Sequence, residues 1–311
     1  MSKPRRFYRD VDGILLLDKP LHLSSNAALQ QARIIFGAHK AGHAGSLDPL
    51  ASGLLPLCFG QATKVCGRLL DASKSYLVDV QLGARTESLD CETPVIEHAP
   101  VPALDDEKVD EVLKSFMGEQ EQVPPMHSAL KYQGQRLYEL ARRGESVARP
   151  ARRIVIHSIR RCELVLDRLR FEVRCSKGTY VRSLAADIAQ RLGTLGYLAG
   201  LRRVSVDPFE GYPMRTLEEL QAAGEQGIPA LDALLLSADV AFTDLPPVTL
   251  EAMAAEMLLL GQAVAAPIQL EVDKPFRAYD PAGRFLGLVE GRPDGRAQPV
   301  RLFVTAPAHA A

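Results

Sequence analysis

The sequence predicts an α+β protein in which a mixed body is followed by a small β-rich module. Predicted strands and helices do not strictly alternate along the first part of the chain, which argues against a doubly wound α/β sheet. After Pro246 and Pro247, one predicted helix precedes several short strands separated by turns. We therefore expect a domain over residues 1–245 and a module over residues 246–311.

The first elements have clear start and stop signals. The apolar run 13–17 predicts a buried strand, which Pro20 ends because proline cannot pair in a ladder. Polar residues at 24–26 are candidate N-caps for a helix over 27–36 that Gly37 closes. The further elements predicted in this half are a strand or buried turn over 54–59, a helix over 61–70, a strand over 75–83, a polar surface segment over 85–106 and a helix over 107–117.

The second half contains a predicted hairpin. Segments 154–166 and 169–175 are consecutive strand-like stretches. Two prolines make 122–126 extended or a turn, and a basic helix is predicted over 134–143, ended by Gly144. The other predicted elements are helices over 180–192, 216–223, 229–236 and 250–260, and strands over 195–206, 277–279, 285–290 and 300–304.

Composition is that of an ordinary globular protein. The 311 residues can bury a sizeable core, with 47% hydrophobic and 24% charged residues. The five cysteines form no CxxC pair, so neither a zinc ribbon nor a redox dithiol is indicated. No apolar run reaches the roughly 20 residues that span a bilayer, and no signal peptide is evident. We expect a cytoplasmic protein, by default a monomer, with no membrane partner.

Charge is distributed unevenly, although the formal net charge is −1. Segment 131–182 carries fourteen Lys and Arg against five Asp and Glu, whereas segment 77–130 carries three against twelve. Such segregation can produce a one-sided basic face that suits a polyanion. The alternative is that these charges fold onto different faces and cancel.

One loop holds a lone carboxylate between apolar runs. The segment GHAGSLDPLASG (42–53) contains three glycines and a proline, so neither a regular helix nor a central strand is expected there. Pro49 biases Asp48 toward extended dihedral angles, so the backbone aims this side chain. Such a layout is common for a catalytic residue. A turn in which Asp48 acts only as a cap is the alternative.

Other motifs in the sequence point to chemistries that we give less weight. Asp10 and Asp12 form a DxDG pattern like that of aspartate-nucleophile phosphatases, but a polar, basic segment precedes them where a buried strand is needed. His39 and His43 have the spacing of zinc ligands on a helix, yet glycines surround them and no third ligand is obvious. We find neither a GxxxxGK[ST] phosphate loop nor a GxGxxG fingerprint. No metal site is expected.

Aromatic and basic residues outside the loop suggest RNA. Tyr180 offers a stacking face and a hydroxyl, and Arg182 offers a fixed charge for a carboxylate or phosphate. Tyr76 follows a basic residue on a predicted strand and could stack on an unpaired base. Each residue taken alone also fits a structural role: a core aromatic for Tyr76 and Tyr180, a solvated arginine for Arg182, and a satisfied loop histidine for His43.

Four motifs together resemble one family. GILLLDKP (13–20), GHAGSLDPLASG (42–53), SALK (128–131) and SKGTYVR (176–182) occur in the order found in the bacterial TruB family of tRNA pseudouridine synthases. The resemblance covers nearly the whole chain and is most specific in the Asp48 loop. It implies a pseudouridine-synthase fold, with a central mixed, largely antiparallel sheet flanked by helices, and a C-terminal PUA-like RNA-binding module over 246–311.

The resemblance also implies a reaction. Such enzymes isomerise one uridine of the tRNA T-loop (position 55) to pseudouridine, and no atom is gained or lost, so no cofactor is expected. By this resemblance Asp48 is the nucleophile, acting on the base or at the ribose, and Arg182 is its ion-pair partner. The base must leave its stack to reach them. A non-catalytic RNA-binding or tRNA-folding protein on the same fold is the alternative.

The remaining site residues are assigned by the same resemblance. Tyr76 would stack on the flipped base, Tyr180 would lie against the nucleophile and base, and Leu201 would line the apolar wall. His43 would contact the RNA near the vacated position. Lys19 and Pro20 would support the loop that carries Asp48.

Overall fold

A computed structural model describes residues 8–128 and 130–303, with only the backbone of Lys131. The α-helices are α1 (Ser25–Phe36), α2 (Cys66–Asp71), α3 (Asp106–Lys114), α4 (Leu137–Ala141), α5 (Val181–Arg191), α6 (Leu217–Gln226), α7 (Ile228–Asp232) and α8 (Ala252–Leu259). The strands of the body are β1 (Gly13–Lys19), β2 (Ala41–His43), β3 (Ala51–Phe59), β4 (Lys74–Leu82), β5 (Ala84–Thr86), β6 (Val95–His98), β7 (Gly118–Gln122), β8 (Lys131–Tyr132), β9 (Gln135–Arg136), β10 (Arg152–Val165), β11 (Arg168–Cys175) and β12 (Gly196–Val206). The C-terminal strands are β13 (Pro247–Thr249), β14 (Val264–Ala265), β15 (Pro275–Tyr279), β16 (Phe285–Gly291) and β17 (Arg296–Leu302).

An eight-stranded sheet organises the body. Its order is β1-β3-β12-β4-β11-β10-β7, and β2 pairs with β3 on the edge opposite β1. All neighbours are antiparallel except β3 and β12, which run parallel. Helices α3 and α5 pack on β4, β10 and β12, whereas α1 and α6 contribute to a second core cluster with β1 and β3. The predicted α+β class, with a mixed and largely antiparallel sheet, is confirmed.

Local sequence explains why α1 begins and ends where it does. The Ser24 hydroxyl accepts a hydrogen bond from the Ala27 N–H at 3.2 Å, so Ser24 is the N-cap among the three candidates. Gly37 adopts the left-handed conformation, with φ of 60°, that a helix C-cap of this kind requires. After this C-cap the chain continues into β2 and then into the Asp48 loop.

Several predicted elements differ from the observed ones. The helix predicted over 61–70 is a 3₁₀ turn (Gly60–Val65) followed by α2, and the Thr63 hydroxyl bonds to the Gly60 carbonyl at 2.8 Å in that turn. The helix predicted over 134–143 is wrong in its first part, because Gln133 and Gly134 have positive φ and make the β8–β9 turn. Strand β7 was missed because its sequence, GEQEQ, is wholly polar at a sheet edge.

The C-terminal residues form a second, five-stranded sheet with a core of its own. Its order is β13-β15-β16-β17-β14. An aromatic cluster also ties it to the body, since Phe285 and Phe303 pack against Phe242 with ring centroids 6.3 and 5.8 Å away. The predicted β-rich module is therefore present. Val304 and the rest of the tail lie outside the described residues.

The arginine-rich hairpin β10–β11 is largely neutralised. Its arginines pair with acids as Arg153–Glu119, Arg160–Glu172, Arg161–Asp110, Arg170–Asp79 and Arg174–Asp207. The uneven charge of the sequence is thus partly cancelled by cross-strand and helix–strand pairs. In the described part of the chain, no helix is long and apolar enough to cross a membrane.

Candidate active site

The loop that carries Asp48 connects β2 to β3 and is held on both sides of that residue. Ser25, at the start of α1, binds Leu47 twice: its hydroxyl donates to the Leu47 carbonyl at 3.0 Å and accepts from the Leu47 N–H at 2.8 Å. On the other side, the Ala51 N–H donates to the Asp48 carbonyl, and the His22 N–H donates to the Pro49 carbonyl. The backbone therefore fixes where the Asp48 side chain points.

Arg182 is the cation that faces Asp48. It lies in the first turn of α5 and is 6% exposed. Its Nη2 is 3.2 Å from Oδ2 of Asp48 and donates to the carbonyl of His127 at 2.7 Å, while Nη1 donates to the carbonyl of Ser88 at 3.2 Å. The predicted ion pair is present, and its guanidinium is anchored by backbone oxygens from two other segments.

A second carboxylate, which sequence reasoning missed, completes the group. Oδ2 of Asp90 lies 3.3 Å from Nη1 of Arg182, and both side chains are only 7% exposed. Oδ1 of Asp90 accepts from the Ser88 hydroxyl at 2.6 Å and from the Glu92 N–H at 2.9 Å. No pattern marks Asp90 among the neighbouring acids, because only the packing of its loop against β12 brings it to Arg182.

The Asp48 carboxylate is crowded by protein yet open on one side. Burial raises the pKa of Asp48 above its ordinary value, Arg182 opposes this rise, and the charges of Asp90 and Glu92 add to it. Its side chain nevertheless remains 54% exposed, so the open side faces a cleft rather than protein. An ionised, partly desolvated carboxylate that a substrate can reach is what a nucleophile requires.

A cleft of about 210 Å³ lies above the Asp48–Arg182 pair. Tyr76, Tyr180 and Leu201 all line it, so the structure brings together three side chains that are far apart in the sequence. Burial raises the pKa of the Tyr76 hydroxyl, which therefore stays protonated at neutral pH. Buried Gln122 fixes the Tyr180 backbone, accepting from its N–H at 2.8 Å and donating to its carbonyl at 3.1 Å.

Three predicted site residues lie beside the cleft rather than on its lining. Lys19 is fully buried, and its Nζ donates to the carbonyls of Pro20 and Leu23 at 2.8 and 2.7 Å. Burial lowers the pKa of Lys19 to about 8, an effect that Asp48 opposes. His43 is half-buried on β2, and burial together with Arg203 lowers the pKa of its ring. Pro20 is exposed at the end of β1.

The phosphatase hypothesis finds no support in this geometry. Asp12 precedes β1, at the amino end of that strand, and accepts a hydrogen bond from the Gln61 N–H at 2.5 Å. A phosphatase nucleophile is expected at the carboxyl end of a buried strand.

Family models match consecutive parts of the chain. Residues 33–181 match the TruB family pseudouridylate synthase N-terminal domain, residues 182–243 match the tRNA pseudouridylate synthase B C-terminal domain, and residues 246–303 match the C-terminal region of pseudouridine synthase II TruB. Asp48 and Arg182 thus fall in two adjoining matched segments.

Curated relatives and one solved fold agree with these matches. The chain is 48% identical over 304 residues to tRNA pseudouridine synthase B of Nitrosococcus oceani, covering 97% of this chain and 98% of the relative. It is 47% identical over 306 residues to the enzyme of the same name from Chromohalobacter salexigens, covering 97% of both. A Cbf5-Nop10-Gar1 complex contains a chain with the same fold, at a TM-score of 0.72 and 22% identity over 98% of this chain and 92% of that one. The chain belongs to the TruB family of pseudouridine synthases, which are isomerases.

Proposed function

We propose that this protein isomerises uridine 55 in the T-loop of tRNA to pseudouridine, with Asp48 as the nucleophile. The observation that carries the proposal is the Asp48–Arg182 pair: a carboxylate open to a cleft and held at 3.2 Å by a buried guanidinium. The curated relatives, named tRNA pseudouridine synthase B, support tRNA as the substrate. A protein that only binds RNA has no need of a desolvated ion pair at the base of its cleft.

The cleft suits a single flipped base. In this proposal the target uridine leaves its stack, at a cost of a few kcal/mol, and enters between Tyr76 and Leu201. Tyr76 stacks on the uracil, Leu201 forms the apolar wall, and Tyr180 lies against the base and the nucleophile. The aromatic face and the apolar wall offset the lost stacking energy.

Arg182 keeps the Asp48 carboxylate ionised. Burial alone would favour the protonated, unreactive form of Asp48, and the adjacent positive charge favours the ionised form. Asp48 attacks either the uracil ring or the ribose carbon; both routes need the same ionised carboxylate. The glycosidic N–C bond breaks, the uracil turns, and a C–C bond forms to the same ribose, so atoms balance without a co-reactant.

The neighbouring residues have supporting roles in this proposal. His43 contacts the RNA beside the vacated position, and its lowered pKa keeps the ring neutral there. Lys19, which is fully buried, cannot reach RNA; through the carbonyls of Pro20 and Leu23 it braces the chain that leads into α1. Since Ser25 of α1 holds Leu47, this bracing reaches the Asp48 loop.

We further propose that residues 1–245 are the catalytic domain and residues 246–311 an RNA-binding module, and that the protein acts as a monomer in the bacterial cytoplasm. The separate core of the C-terminal sheet supports the division. Light scattering on the purified protein, with and without one equivalent of tRNA, would give a mass of one chain, and then of one chain plus one tRNA. A mass of two chains would contradict the monomer.

The experiment that tests the function uses an unmodified T-arm stem-loop. The protein is incubated with this RNA, and pseudouridine is mapped chemically. Wild-type protein should convert the target uridine, whereas Asp48→Asn should form none and still bind the RNA within about threefold. Asp71→Asn, at an exposed ion pair with Lys177, is the matched control and should be fully active. RNA binding by the wild type without conversion would instead favour the non-catalytic RNA-folding role.

A further inference from the structure

We propose that Arg203 is a positioning residue of the active site: its buried guanidinium ties the Asp48 loop to the strand that follows it and sets the distance between this loop and Tyr76. The inference rests on the proposed roles of Asp48 and Tyr76. Arg203 itself is not among the residues that line the cleft and, in this proposal, does not contact the RNA.

Arg203 stands between the two walls of the cleft. It lies on β12, a central strand of the sheet, where it pairs with Gly53 of β3 on one side and with Tyr76 of β4 on the other. Leu201, two residues earlier on the same face of β12, lines the cleft. A single residue therefore adjoins both the strand that ends the loop and the strand that carries the stacking tyrosine.

The side chain closes the loop at its base. Arg203 is 1% exposed, its Nε donates to the Leu54 carbonyl at 2.6 Å, and its Nη2 donates to the Gly45 carbonyl at 2.9 Å. Gly45 precedes Asp48 and Leu54 follows it, so one planar group bridges both ends of the segment that holds the nucleophile. Because the guanidinium fork is rigid, it fixes the separation of these two carbonyls.

Its packing leaves little freedom. A Cβ on Gly53 would lie 2.2 Å from the Arg203 carbonyl oxygen, and a Cβ on Gly45 would lie 3.4 Å from its Nη1. Both glycines have positive φ, of 98° and 84°. The backbone at Gly53 thus approaches the Arg203 backbone as closely as glycine allows. Because the guanidinium also lies against Gly45, a displaced guanidinium would move the loop.

A purely structural role explains this residue poorly. Within the described residues, no carboxylate forms an ion pair with Arg203, and its guanidinium donates to two backbone carbonyls. Burying an unpaired charge is costly, and an apolar residue of similar size is often better for stability. The positive charge also contributes to lowering the pKa of His43 and of Lys19. The arginine therefore serves to hold the geometry of the Asp48 loop.

The test separates positioning from stability. Arg203→Met removes both hydrogen bonds, and Arg203→Lys keeps the charge but cannot reach both carbonyls. Val206→Ala, at a fully buried position on the same strand, is the control for stability alone. The single-turnover rate constant is measured with enzyme in saturating excess over the stem-loop, because it does not depend on the fraction of active enzyme. Affinity is measured with a stem-loop that already contains pseudouridine.

We expect the rate constant to fall at least 30-fold in Arg203→Met and at least 10-fold in Arg203→Lys, with affinity within threefold of wild type. Val206→Ala should lower the melting temperature and leave the rate constant within twofold. Rates within threefold of wild type in the Arg203 variants, or an equal loss in Val206→Ala, would overturn the proposal. If Arg203→Met does not fold, Arg203→Lys decides. A wild-type protein that forms no pseudouridine would refute the proposed function itself.

Discussion

Replacing Asp90 by asparagine is the sharpest test of the buried charge network. Asp90→Asn keeps the shape of the side chain, removes its charge and replaces one acceptor oxygen by an NH2 donor. Arg182 then has one carboxylate, Asp48, in place of two at 3.2 and 3.3 Å. Its hydrogen bonds to the carbonyls of Ser88 and His127 remain. The substitution therefore measures what the charge and the second acceptor oxygen of Asp90 contribute together.

The structure sets the size of the effect. Breaking a buried pair outright costs about 3–5 kcal/mol, but Arg182 keeps a partner, so a loss of about 2 kcal/mol, that of one charged hydrogen bond, is expected. At about 2–4 °C per kcal/mol, the melting temperature should fall by about 4–8 °C. If the displaced guanidinium stabilises the transition state by about 2 kcal/mol less than in the wild type, turnover falls about 30-fold.

Thermal unfolding and single-turnover kinetics measure the two effects, with Asp106→Asn as control. Asp106 pairs with Arg161 at 2.9 Å but is 69% exposed, so its replacement should cost less than about 1 kcal/mol and leave turnover unchanged. Because the charge of Asp90 raises the pKa of Asp48, the acid limb of the rate profile should also move to lower pH in Asp90→Asn. A melting temperature within 1 °C of wild type, together with a rate within threefold of it, would show that the charge of Asp90 contributes to neither stability nor turnover and would refute the proposed network.

Three further predictions concern pH, packing and salt. Turnover should be lost as pH falls through the raised pKa of Asp48, so the acid limb of the pH–rate profile should lie above the ordinary aspartate pKa of 3.8. Arg182→Met removes the charge that opposes this rise and should move the acid limb to higher pH. An acid limb at the same pH in that variant would contradict the ion pair. Gly53→Ala should destabilise the protein by at least about 2 kcal/mol, whereas Gly67→Ala, in an open helical position, should stabilise it by up to about 1 kcal/mol; calorimetry that finds similar effects for both would contradict the packing argument. Affinity for tRNA should fall steeply as the salt concentration rises in filter-binding assays. An affinity that does not change with salt would show that basic residues do not contact the RNA backbone.

Much of the site was predictable from the sequence because its parts lie in distinctive motifs. Asp48 sits in a loop of unusual composition, and Arg182 follows a tyrosine at a strand-to-helix junction. Their pairing, and the placing of Tyr76 and Leu201 around one cleft, agree with the structure. Assignment of their chemical roles came from family resemblance, since each residue taken alone also fits an ordinary structural role.

Asp90 and Arg203 were missed for a physical reason. Asp90 is one of twelve acids between residues 77 and 130, and nothing local distinguishes it from acids that remain in solvent. Arg203 follows another arginine, Arg202, which forms an ordinary bidentate pair with Asp18 at 2.7 and 2.9 Å. Alternation along β12 turns one arginine toward Asp18 and the other into the protein, and only the register of that strand decides which.

The sequence by itself predicted the α+β class, the strand and helix that flank the Asp48 loop, and, through motifs that resemble one family, Asp48 and Arg182 as the proposed nucleophile and its ion-pair partner. These follow from composition, caps and motifs that act over a few residues. The tertiary structure decided how the charges are shared: which arginines of the hairpin are neutralised, which acid joins Arg182, and which buried cation closes the loop. Such pairings depend on distances between segments far apart in the chain, and electrostatic energy is set by those distances and by burial rather than by the order of residues.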